Sequence, residues 1–450
     1  KKRFTAEGGH RAASPQETFE RYKHHISPIT GVVSSILSKE DASHGYTHSY
    51  ASGHYFPMET HRMLDLRTNL RSRSGGKGLT DIEAKVGALC EAIERYSGVF
   101  SGDEPTIQGS YTELKPEAVH PNDCMLFSKN QYRIRKRWNA EHTLHNFYHV
   151  VPDPFDEGMP IDWTPVWSLT QDTLRYLPSA YCYFGHPDLK KFFCVSDTNG
   201  NAAGNTIEEA VIQGFMELVE RDSVAIWWYN RIQRPGVDLD SFDQPYLREL
   251  LSLHERLDRE LWVLDITSDL NIPAFAAVSR RVDRPVEDII VGFSAHLDPL
   301  SAILHAITEV NQFLPSLSQT AADGTTDYYY NDQEAIDWWM TATIEKQPYL
   351  VPDPTAAWVK RSDFAPLVSD DLMTDVHTCI EISRQHDLEM LVLDHTRPDI
   401  SLSVVKVIVP GLRHFWRRLG PGRLYDIPVK LGWFEKPLRE NQLNPVSMFF

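Results

Sequence analysis

The sequence predicts a mixed α/β (α+β) protein, because short apolar runs typical of strands alternate with segments that have helical spacing. Residues 261–266 and 272–278 are nearly continuous apolar runs separated by a polar turn, as in strands of a buried sheet. Residues 300–313 carry their apolar side chains at helical spacing instead. Because 450 residues are many for one compact core, we expect two lobes, over approximately residues 1–165 and 166–450.

The other elements follow from the same two patterns. Helical spacing predicts further helices at residues 18–25, after Thr80, after Thr206 and at 375–385. Apolar and β-branched runs predict strands at residues 31–36, 288–293, 390–394 and 404–409. Residues 103–165 are rich in proline, histidine and charge, which predicts an irregular connection between the lobes, and residues 318–332 have the composition of a mobile loop.

Composition excludes several classes of protein. The chain is 42% hydrophobic and 24% charged, as in globular proteins, and its net charge of −17 argues against a general nucleic-acid binder. The N-terminus lacks the apolar core of a signal peptide, and without a run of 18 apolar residues we expect no membrane span. Five scattered cysteines without a Cys-x-x-Cys pair fit reduced thiols, so we expect a cytoplasmic protein.

The most informative feature is a pattern that occurs twice. Gly78-Leu79-Thr80 is followed, thirteen positions after the glycine, by a Glu-x-x-Glu-Arg segment at residues 91–95. Gly204-Asn205-Thr206 is followed at the same distance by Glu-x-x-Glu-Arg at residues 217–221. Each copy reads as a loop, a capping threonine and an apolar helix, and the identical offsets indicate a duplicated unit.

The capping residues predict where each helix begins, and the spacing within the helix then predicts which face carries the acidic side chains. Thr80 with Glu83, and Thr206 with Glu209, have the spacing of a capping box, so each pattern predicts a helix start. Each later glutamate pair is spaced i, i+3, which puts both carboxylates on one face of its helix. The arginine that follows lies about 100° further round the helix, so it need not neutralise the pair.

Four carboxylates in one place would need cations. At an effective dielectric constant of about 20, two carboxylates ~5.5 Å apart repel by roughly 3 kcal/mol. Mg²⁺ would offset this repulsion, and it prefers a few carboxylates together with substrate phosphates. Loops at helix N-termini offer N–H groups to anions, so the pattern suggests a nucleotide triphosphate site, although neither loop has the P-loop spacing. A single copy of the pattern would more simply be a solvated helix face.

These residues resemble the YcaO superfamily. Its two signatures are similar to residues 74–95 and 199–222, and shorter similarities lie at residues 8–11, 295–299 and 397–400. Within the superfamily, residues 227–231 and 420–426 look like those of the cyanobactin heterocyclases. The resemblance implies a YcaO-type fold over the whole chain, with duplicated strand-loop-helix units around an ATP site.

The resemblance also implies an activity. Such enzymes are ATP- and Mg²⁺-dependent cyclodehydratases that act on a ribosomal precursor peptide. A cysteine side chain, or serine or threonine in some members, attacks the preceding backbone carbonyl; ATP phosphorylates the resulting oxygen; loss of phosphate leaves a thiazoline or oxazoline ring. Thioamide or amidine formation at the same ATP site, and a degenerate scaffold without catalysis, are the alternatives.

Roles for single residues come from the same resemblance. It implies Mg²⁺ ligation by four glutamates: Glu91, Glu94, Glu217 and Glu220. It implies a nucleotide site that includes six residues: Arg11, Asn205, Glu209, Gln213, Arg221 and His305. Arg221 would also act in catalysis near the phosphates. Outside the family context, Asn205 would be a turn residue, Glu209 a capping residue and Arg221 a surface ion-pair partner.

Three departures from the family pattern qualify these implications. His305 stands where the family commonly has arginine, which weakens the expected phosphate contact. The C-terminal segment has only one proline where the family often has several, so the terminal carboxylate of Phe450 is a weaker catalytic candidate. The N-terminal zinc-binding and leader-binding scaffold of the cyanobactin enzymes is not matched here, so we expect that this chain is part of a larger protein or that a separate partner recognises the leader. A homodimer is a further expectation by analogy.

Two other constellations predict packing. Cys90, next to Glu91, is expected to be a buried thiol and not a nucleophile. The aromatic run Trp227-Trp228-Tyr229 is expected in the core or at an interface.

Overall fold

A computed structural model of the chain describes residues 1–2, 10–39, 45–54, 73–142, 149–317, 319–321, 324–330 and 332–449. Its α-helices are α1 (Pro15–Tyr22), α2 (Asp81–Ser97), α3 (Tyr111–Leu114), α4 (Pro121–Met125), α5 (Lys129–His142), α6 (Ser179–Cys182), α7 (Ile207–Asn230), α8 (Pro245–Arg256), α9 (Pro299–Leu317), α10 (Gln333–Thr341), α11 (Leu372–Gln385) and α12 (Arg423–Lys430). Among the described residues, no helix combines the length and the apolar character that crossing a membrane requires.

The strands are β1 (Val33–Ser38), β2 (His48–His54), β3 (Arg73–Gly78), β4 (Ile107–Gly109), β5 (Ile161–Ser168), β6 (Thr173–Pro178), β7 (Asn201–Gly204), β8 (Arg259–Asp265), β9 (Ala274–Arg281), β10 (Ile290–Ala295), β11 (Gln319–Thr320), β12 (Thr326–Asp327), β13 (Leu391–Asp394) and β14 (Ser403–Ile408). The chain is thus the mixed α/β protein that the sequence predicts.

The largest sheet has six strands. Its order is β4-β5-β13-β14-β7, and β6 pairs with β5; each neighbouring pair is antiparallel. The predicted lobe boundary between residues 165 and 166 falls inside β5. The N-terminal and C-terminal parts of the chain therefore share this sheet.

Two smaller antiparallel sheets complete the surroundings of the site. One has the order β1-β2-β3 and the other the order β10-β9-β8. In each of the three sheets one strand leads directly into a long helix: β3 into α2, β7 into α7 and β10 into α9.

Glycines allow these strands to approach the helices closely. A Cβ on Gly78 would lie 2.6 Å from the Cβ of Glu83, and one on Gly204 would lie 2.6 Å from the backbone N of Ala210. Each glycine thus meets the first turn of the helix that follows it. The close approach fixes where α2 and α7 begin.

The helix α7 is the centre of the core. Its residues Trp227, Trp228 and Tyr229 are at most 1% exposed, which confirms the prediction for the aromatic run. Asp222 is fully buried and forms an ion pair of 2.7 Å with Arg423 at the start of α12. The same arginine reaches Asp269 at 2.7 Å, so one cation connects three distant parts of the chain.

The prediction of an irregular connection at residues 103–165 is wrong. This segment contains β4, three helices and the start of β5, and the side chains of Phe127 and Trp138 are buried. The helix α5 was missed because its sequence is strongly basic, with few apolar residues at helical spacing. Within the predicted loop at 318–332, β11 and β12 form a short hairpin, while residues 318, 322–323 and 331 lie outside the described residues.

Candidate functional site

A cavity of about 360 Å³ lies where α2, α7 and α9 meet the segment before α1. One face of α7 lines it, because Glu209, Gln213, Glu217 and Glu220 are spaced by four, four and three residues. The rise of about 1.5 Å per residue spreads these four side chains over about 16 Å. The cavity therefore runs along α7, from its first turn to the acidic residues.

The two predicted features of a triphosphate site lie at opposite ends of this cavity. The N-terminus of α7 is at one end, and Glu217 lies about 15 Å further along the helix axis. The N-terminus and the carboxylates of α7 are thus too far apart to contact a single phosphate group. The distance instead suits an elongated ligand whose charged end lies beside Glu217 and Glu220.

The structure brings the two glutamate pairs together. The charges of Glu91 and Glu217 both raise the pKa of Glu94, so the pairs on α2 and α7 face each other. The Glu91 carboxylate also accepts a hydrogen bond of 3.0 Å from the backbone N–H of Gly75 in β3. These interactions bring Glu94 of α2 close to Glu217 of α7, so the two predicted pairs lie next to each other.

Each arginine pairs with both glutamates of its own helix. Arg95 lies 3.1 Å from Glu91, its i−4 neighbour, and 3.8 Å from Glu94. Arg221 lies 3.2 Å from Glu217 and 3.3 Å from Glu220. The long arginine side chain reaches back over one turn of its own helix, so the angle between the Cα positions did not predict the contact.

Two of the four carboxyl groups are held away from full ionisation. Burial raises the pKa of Glu94 well above its ordinary value, and the neighbouring glutamates add to the effect against the opposing charge of Arg95. Burial likewise raises the pKa of Glu220 to about 7, with further contributions from Glu309 and Glu217. Two arginines thus pair with four glutamates, which leaves an excess of acidic groups. Carboxylate oxygens in such an excess fit Mg²⁺.

Two residues near the acidic end of the cavity, Lys77 and Glu309, were not identified from the sequence. Lys77 in β3 lines the cavity, and its Nζ lies 3.1 Å from the Oε1 atom of Glu309 on α9. The other oxygen of Glu309 accepts a hydrogen bond of 2.6 Å from the N–H of Phe293. The charge of Glu309 also acts on Arg221, so it is a fifth carboxylate beside the cluster. Its position one turn after His305 was the signal that could have identified it.

At the other end, Glu209 binds the chain before α1. Its carboxylate accepts a hydrogen bond of 2.9 Å from the N–H of Ala12 and lies 3.3 Å from Arg11. Thr206 caps α7 as predicted, but the second capping box is not formed, because Glu209 turns to these two residues instead. In α2, where no such partners compete, Thr80 and Glu83 do form the box.

Asn205 and Cys90 lie on the same stretch of the wall. Asn205 accepts a hydrogen bond of 3.0 Å from Thr18 of α1 and donates one of 3.4 Å to Glu209. Cys90 lines the cavity, and burial raises the pKa of its thiol to about 12, so it stays protonated. This agrees with the prediction that Cys90 is not a nucleophile, although its side chain is only half-buried.

Three histidines form a row, and two of them, His296 and His305, line the cavity. His305 on α9 lines the cavity, and its ring lies edge-on to that of His296 with centroids 6.3 Å apart. The His296 ring stacks on His10 at 5.6 Å. His305 thus belongs to the cavity, as its place in the sequence pattern implies.

Arg221 does not line the cavity among the described residues. Its guanidinium stacks on the ring of Phe415, 4.0 Å from the ring centroid, about 80° round α7 from Gln213. The hydroxyl of Tyr229 donates to the carbonyl of Phe415 and so supports this aromatic platform. Arg221 is therefore placed beside the carboxylates and against the aromatic core.

The C-terminal segment packs on the end of α7. The indole N–H of Trp228 donates to the carbonyl of Val446 at 2.9 Å, and Asn444 donates to the carbonyl of Tyr229 at 2.7 Å. Phe449 packs against Trp228 and Trp338. Phe450, the candidate for a catalytic terminal carboxylate, lies outside the described residues.

Comparison with known proteins identifies relatives of this arrangement. A family model described as YcaO cyclodehydratase, ATP- and Mg²⁺-binding, matches residues 75–413. A solved heterocyclase in complex with substrate and cofactor is 49% identical, with a TM-score of 0.92 over 99% of this chain and 58% of its own. The heterocyclase TruD is 45% identical, with a TM-score of 0.79 over 100% of this chain and 56% of its own.

A more distant structure has the same fold. The YcaO protein from Methanopyrus kandleri, solved with AMPPCP and Mg²⁺, is 23% identical, with a TM-score of 0.63 over 91% of this chain and 93% of its own. This chain spans less than two thirds of the length of either heterocyclase. Because the family model matches most of the sequence and includes both glutamate pairs, the chain belongs to the YcaO family.

Proposed function

We propose that the chain is an ATP- and Mg²⁺-dependent cyclodehydratase that converts cysteine, or serine or threonine, of a ribosomal precursor peptide into a thiazoline or oxazoline. The observation that carries this proposal is that Glu94 of α2 comes close to Glu217 of α7, which together with Glu220 lines one end of an elongated cavity. The site belongs to the YcaO family, and the 49% identical heterocyclase binds a substrate and a cofactor. Its length along α7 suits a nucleotide whose phosphates lie at the acidic end.

The glutamates would hold the metal. Glu91 and Glu94 from α2, with Glu217 and Glu220 from α7, supply carboxylate oxygens of the kind that Mg²⁺ prefers. Glu309 is close enough to join them, since its charge acts on Glu220. When bound, magnesium ATP supplies a transferable phosphoryl group whose charge the metal partly neutralises.

The remaining residues would bind and orient the nucleotide. Gln213 and His305 face the middle of the cavity, while Asn205, Glu209 and Arg11 surround the first turn of α7. In this arrangement Glu209 acts mainly on Arg11 and the backbone of Ala12, and so it positions the chain that closes this end of the cavity.

Two cationic side chains are placed to stabilise negative charge on the transferred phosphoryl group. Lys77 is paired with Glu309 on the wall of the cavity, and Arg221 is paired with Glu217 and Glu220. If metal takes over these carboxylates, both side chains become available as donors to phosphate oxygens. The stack of Arg221 on Phe415 would then keep its guanidinium plane oriented during catalysis.

The reaction balances as one condensation for each ring. The side-chain sulfur or oxygen loses its proton and bonds to the preceding carbonyl carbon, and the carbonyl oxygen receives the phosphoryl group. The bond from carbon to that oxygen then breaks, the amide nitrogen loses its proton, and the C=N bond of the ring forms. Peptide and ATP thus give the azoline, ADP and phosphate. Phosphorylation is required because an amide-derived oxygen is otherwise a poor leaving group.

The duplication and the division into two lobes are part of the same proposal. Gly78 contacts residues five and six positions further on, and Gly204 contacts the residues at the same two offsets. A strand, a capping threonine and a glutamate-bearing helix follow in both copies. A repeated strand-loop-helix unit in two lobes, over approximately 1–165 and 166–450, accounts for this correspondence.

The proposed partners follow from the activity. A ribosomal precursor peptide is the substrate, and a leader-recognition domain, in a longer protein or in a separate one, would deliver it. A homodimer remains part of the proposal by family analogy. All five cysteines are free thiols, which supports a reducing, cytoplasmic location.

Mass spectrometry tests the activity. A candidate precursor peptide is incubated with the protein, ATP and Mg²⁺, and the expected product has lost the mass of one water for each ring. A product in which sulfur replaces oxygen would instead identify thioamide formation and contradict the proposal. A reaction without Mg²⁺ and one with Glu220→Gln serve as controls, and neither should yield the product.

A further inference from the structure

Three histidines of this chain adopt the same local turn. His120, His186 and His296 each accept, at Nδ1, a hydrogen bond from the backbone N–H two residues later, with lengths of 3.1, 3.1 and 2.9 Å. A backbone N–H can only donate, so Nδ1 carries no proton in any of the three. The proton of each neutral ring is therefore on Nε2.

Only His296 of these three lines the cavity along α7. Its ring is held on one side by the stack with His10, which itself lies 3.6 Å from the carboxylate of Asp298. That carboxylate also accepts hydrogen bonds from the N–H and the hydroxyl of Ser301, at 3.0 and 2.7 Å. The imidazole of His296 is thus held by the hydrogen bond within its own turn and by the ring of His10, which lies beside Asp298.

The Nε2–H group of the His296 ring is a donor that the described protein does not use. Among the described residues, no group accepts a hydrogen bond from its Nε2 atom. Burial, followed by the nearby His305 and His10, lowers the pKa of the ring to about 3. The ring therefore stays neutral, with its proton on Nε2, across the whole physiological range of pH.

The surroundings select an anion as the acceptor. Arg11 is close enough for its charge to act on the ring, and His305 lies beside it at 6.3 Å. The ring borders a small adjoining pocket together with Glu209 and Gln213, so along α7 it lies nearer the first turn than Glu217 and Glu220 do. If the outer phosphates lie beside Glu217 and Glu220, as proposed above, the inner phosphate would extend toward Gln213, about 6 Å away along the helix.

We propose that the Nε2–H group of His296 donates a hydrogen bond to the polyphosphate chain of the bound nucleotide. The inference rests on the nucleotide site proposed above and adds a phosphate-binding residue to it. It also gives the site a neutral donor close to the position where the family commonly has the guanidinium that His305 replaces.

Nucleotide binding to variants tests this role. The non-hydrolysable nucleotide AMPPCP with Mg²⁺, and adenosine without phosphates, are titrated into wild type, His296→Leu and His296→Gln. We expect His296→Leu to bind AMPPCP about ten- to a hundredfold more weakly, as for loss of one hydrogen bond to a charged group, with adenosine binding unchanged. His296→Gln should keep most of the affinity, since its amide N–H can reach the place of Nε2–H.

His186→Leu is the matched control, since it removes the same turn from a site outside the cavity, and its AMPPCP affinity should equal that of wild type. Unchanged AMPPCP binding by His296→Leu, or an equal loss for adenosine, would overturn the assignment of His296 while leaving the nucleotide site intact. No AMPPCP binding by wild type would overturn the site itself.

Should His296→Leu fail to fold, a crystal structure of the wild-type protein with AMPPCP and Mg²⁺ decides the point. An Nε2 atom within about 3.2 Å of a phosphate oxygen supports the contact. A distance beyond about 4 Å refutes it.

Discussion

At the scale of single residues, the site is a set of acids that the metal-free protein only partly neutralises. Arg95 and Arg221 pair with the glutamates, yet the pKa of Glu94 and that of Glu220 remain raised. Carboxyl groups with such raised pKa values are typical of sites that bind a ligand. Stability alone would favour uncharged side chains at these positions.

Removing one charge should therefore stop the reaction without unfolding the protein. We expect Glu94→Gln and Glu220→Gln to abolish ATP turnover, because each removes a proposed Mg²⁺ ligand while keeping the volume of the side chain. Phosphate release measures turnover, and circular dichroism reports the fold. Glu249→Gln, on the exposed face of α8, should leave turnover unchanged. Wild-type rates in the first two variants would refute the metal assignment.

Binding of Mg²⁺ should depend on pH around neutrality. The pKa of Glu220 is raised to about 7, so below that pH the metal-free carboxyl is protonated and an incoming ion must displace the proton. We expect affinity to rise as the pH increases through about 7, by up to about tenfold per unit for each proton displaced. Titration calorimetry in buffers with different ionisation enthalpies measures the released protons. A binding heat that is independent of the buffer would contradict this.

The same shift predicts how the stability of the metal-free protein varies with pH. A carboxyl whose pKa is raised on folding favours the folded state at low pH, and this contribution is lost as the pH rises from 4.5 through about 7. Its size is about 1–3 kcal/mol at most. Thermal midpoints between pH 5 and 8 should therefore fall less for Glu220→Gln than for wild type, and equal slopes would count against the shift.

Sequence reasoning identified the acids but not their neighbours. The spacing within each Glu-x-x-Glu-Arg segment fixed which carboxylates share a face, because helix geometry depends on spacing alone. The ion pairs of Lys77 with Glu309 and of Arg11 with Glu209 join residues 232 and 198 positions apart, so no local pattern predicts them. Only tertiary contacts decide where such long side chains point.

At the scale of elements, the function depends on how the preceding strand sets the start of each helix in the site. The close approach at Gly204 sets the position of α7, and α7 carries the row of residues that lines the cavity. The sequence predicted both helices and their capping threonines from local patterns. It could not predict that the first turn of α7 would use Glu209 to hold the chain before α1.

A side chain at Gly204 should displace the start of α7. The Cβ of an alanine there would lie 2.6 Å from the backbone N of Ala210, and backbone cannot move aside as a flexible side chain can. We expect Gly204→Ala to lose about 1–3 kcal/mol of stability and also to weaken AMPPCP binding. Thermal unfolding and calorimetry measure the two effects. Gly158→Ala, with its nearest atom at 3.5 Å, should change neither.

At the scale of the whole molecule, the two ends of the chain are joined around α7. The strand β5 connects the six-stranded sheet across the predicted lobe boundary, and Arg423 connects α12 to Asp222 and Asp269. Composition and length suggested two lobes, but antiparallel pairing between distant segments leaves no signal in a single sequence. The family resemblance supplied the fold that periodicity alone could not.

The ion pairs of Arg423 with Asp222 and Asp269 should be important for global stability. Replacing Arg423 by methionine leaves the buried carboxylate of Asp222 without its cation, which we expect to lose about 3–5 kcal/mol. Lys430 also pairs with Asp269, at 3.0 Å, but its side chain is 57% exposed, so Lys430→Met should lose no more than about 1 kcal/mol. Denaturant unfolding compares the two. Equal losses would show that burial of the cation is not what matters.

The arginines that fold back onto the acids have a consequence for how the enzyme meets its metal. If Mg²⁺ binds these glutamates as proposed, it would replace the guanidinium groups of Arg95 and Arg221, which occupy the places of cations in the metal-free protein. Loading would then be an exchange of one positive partner for another. The displaced guanidinium groups would be able to donate to phosphate oxygens.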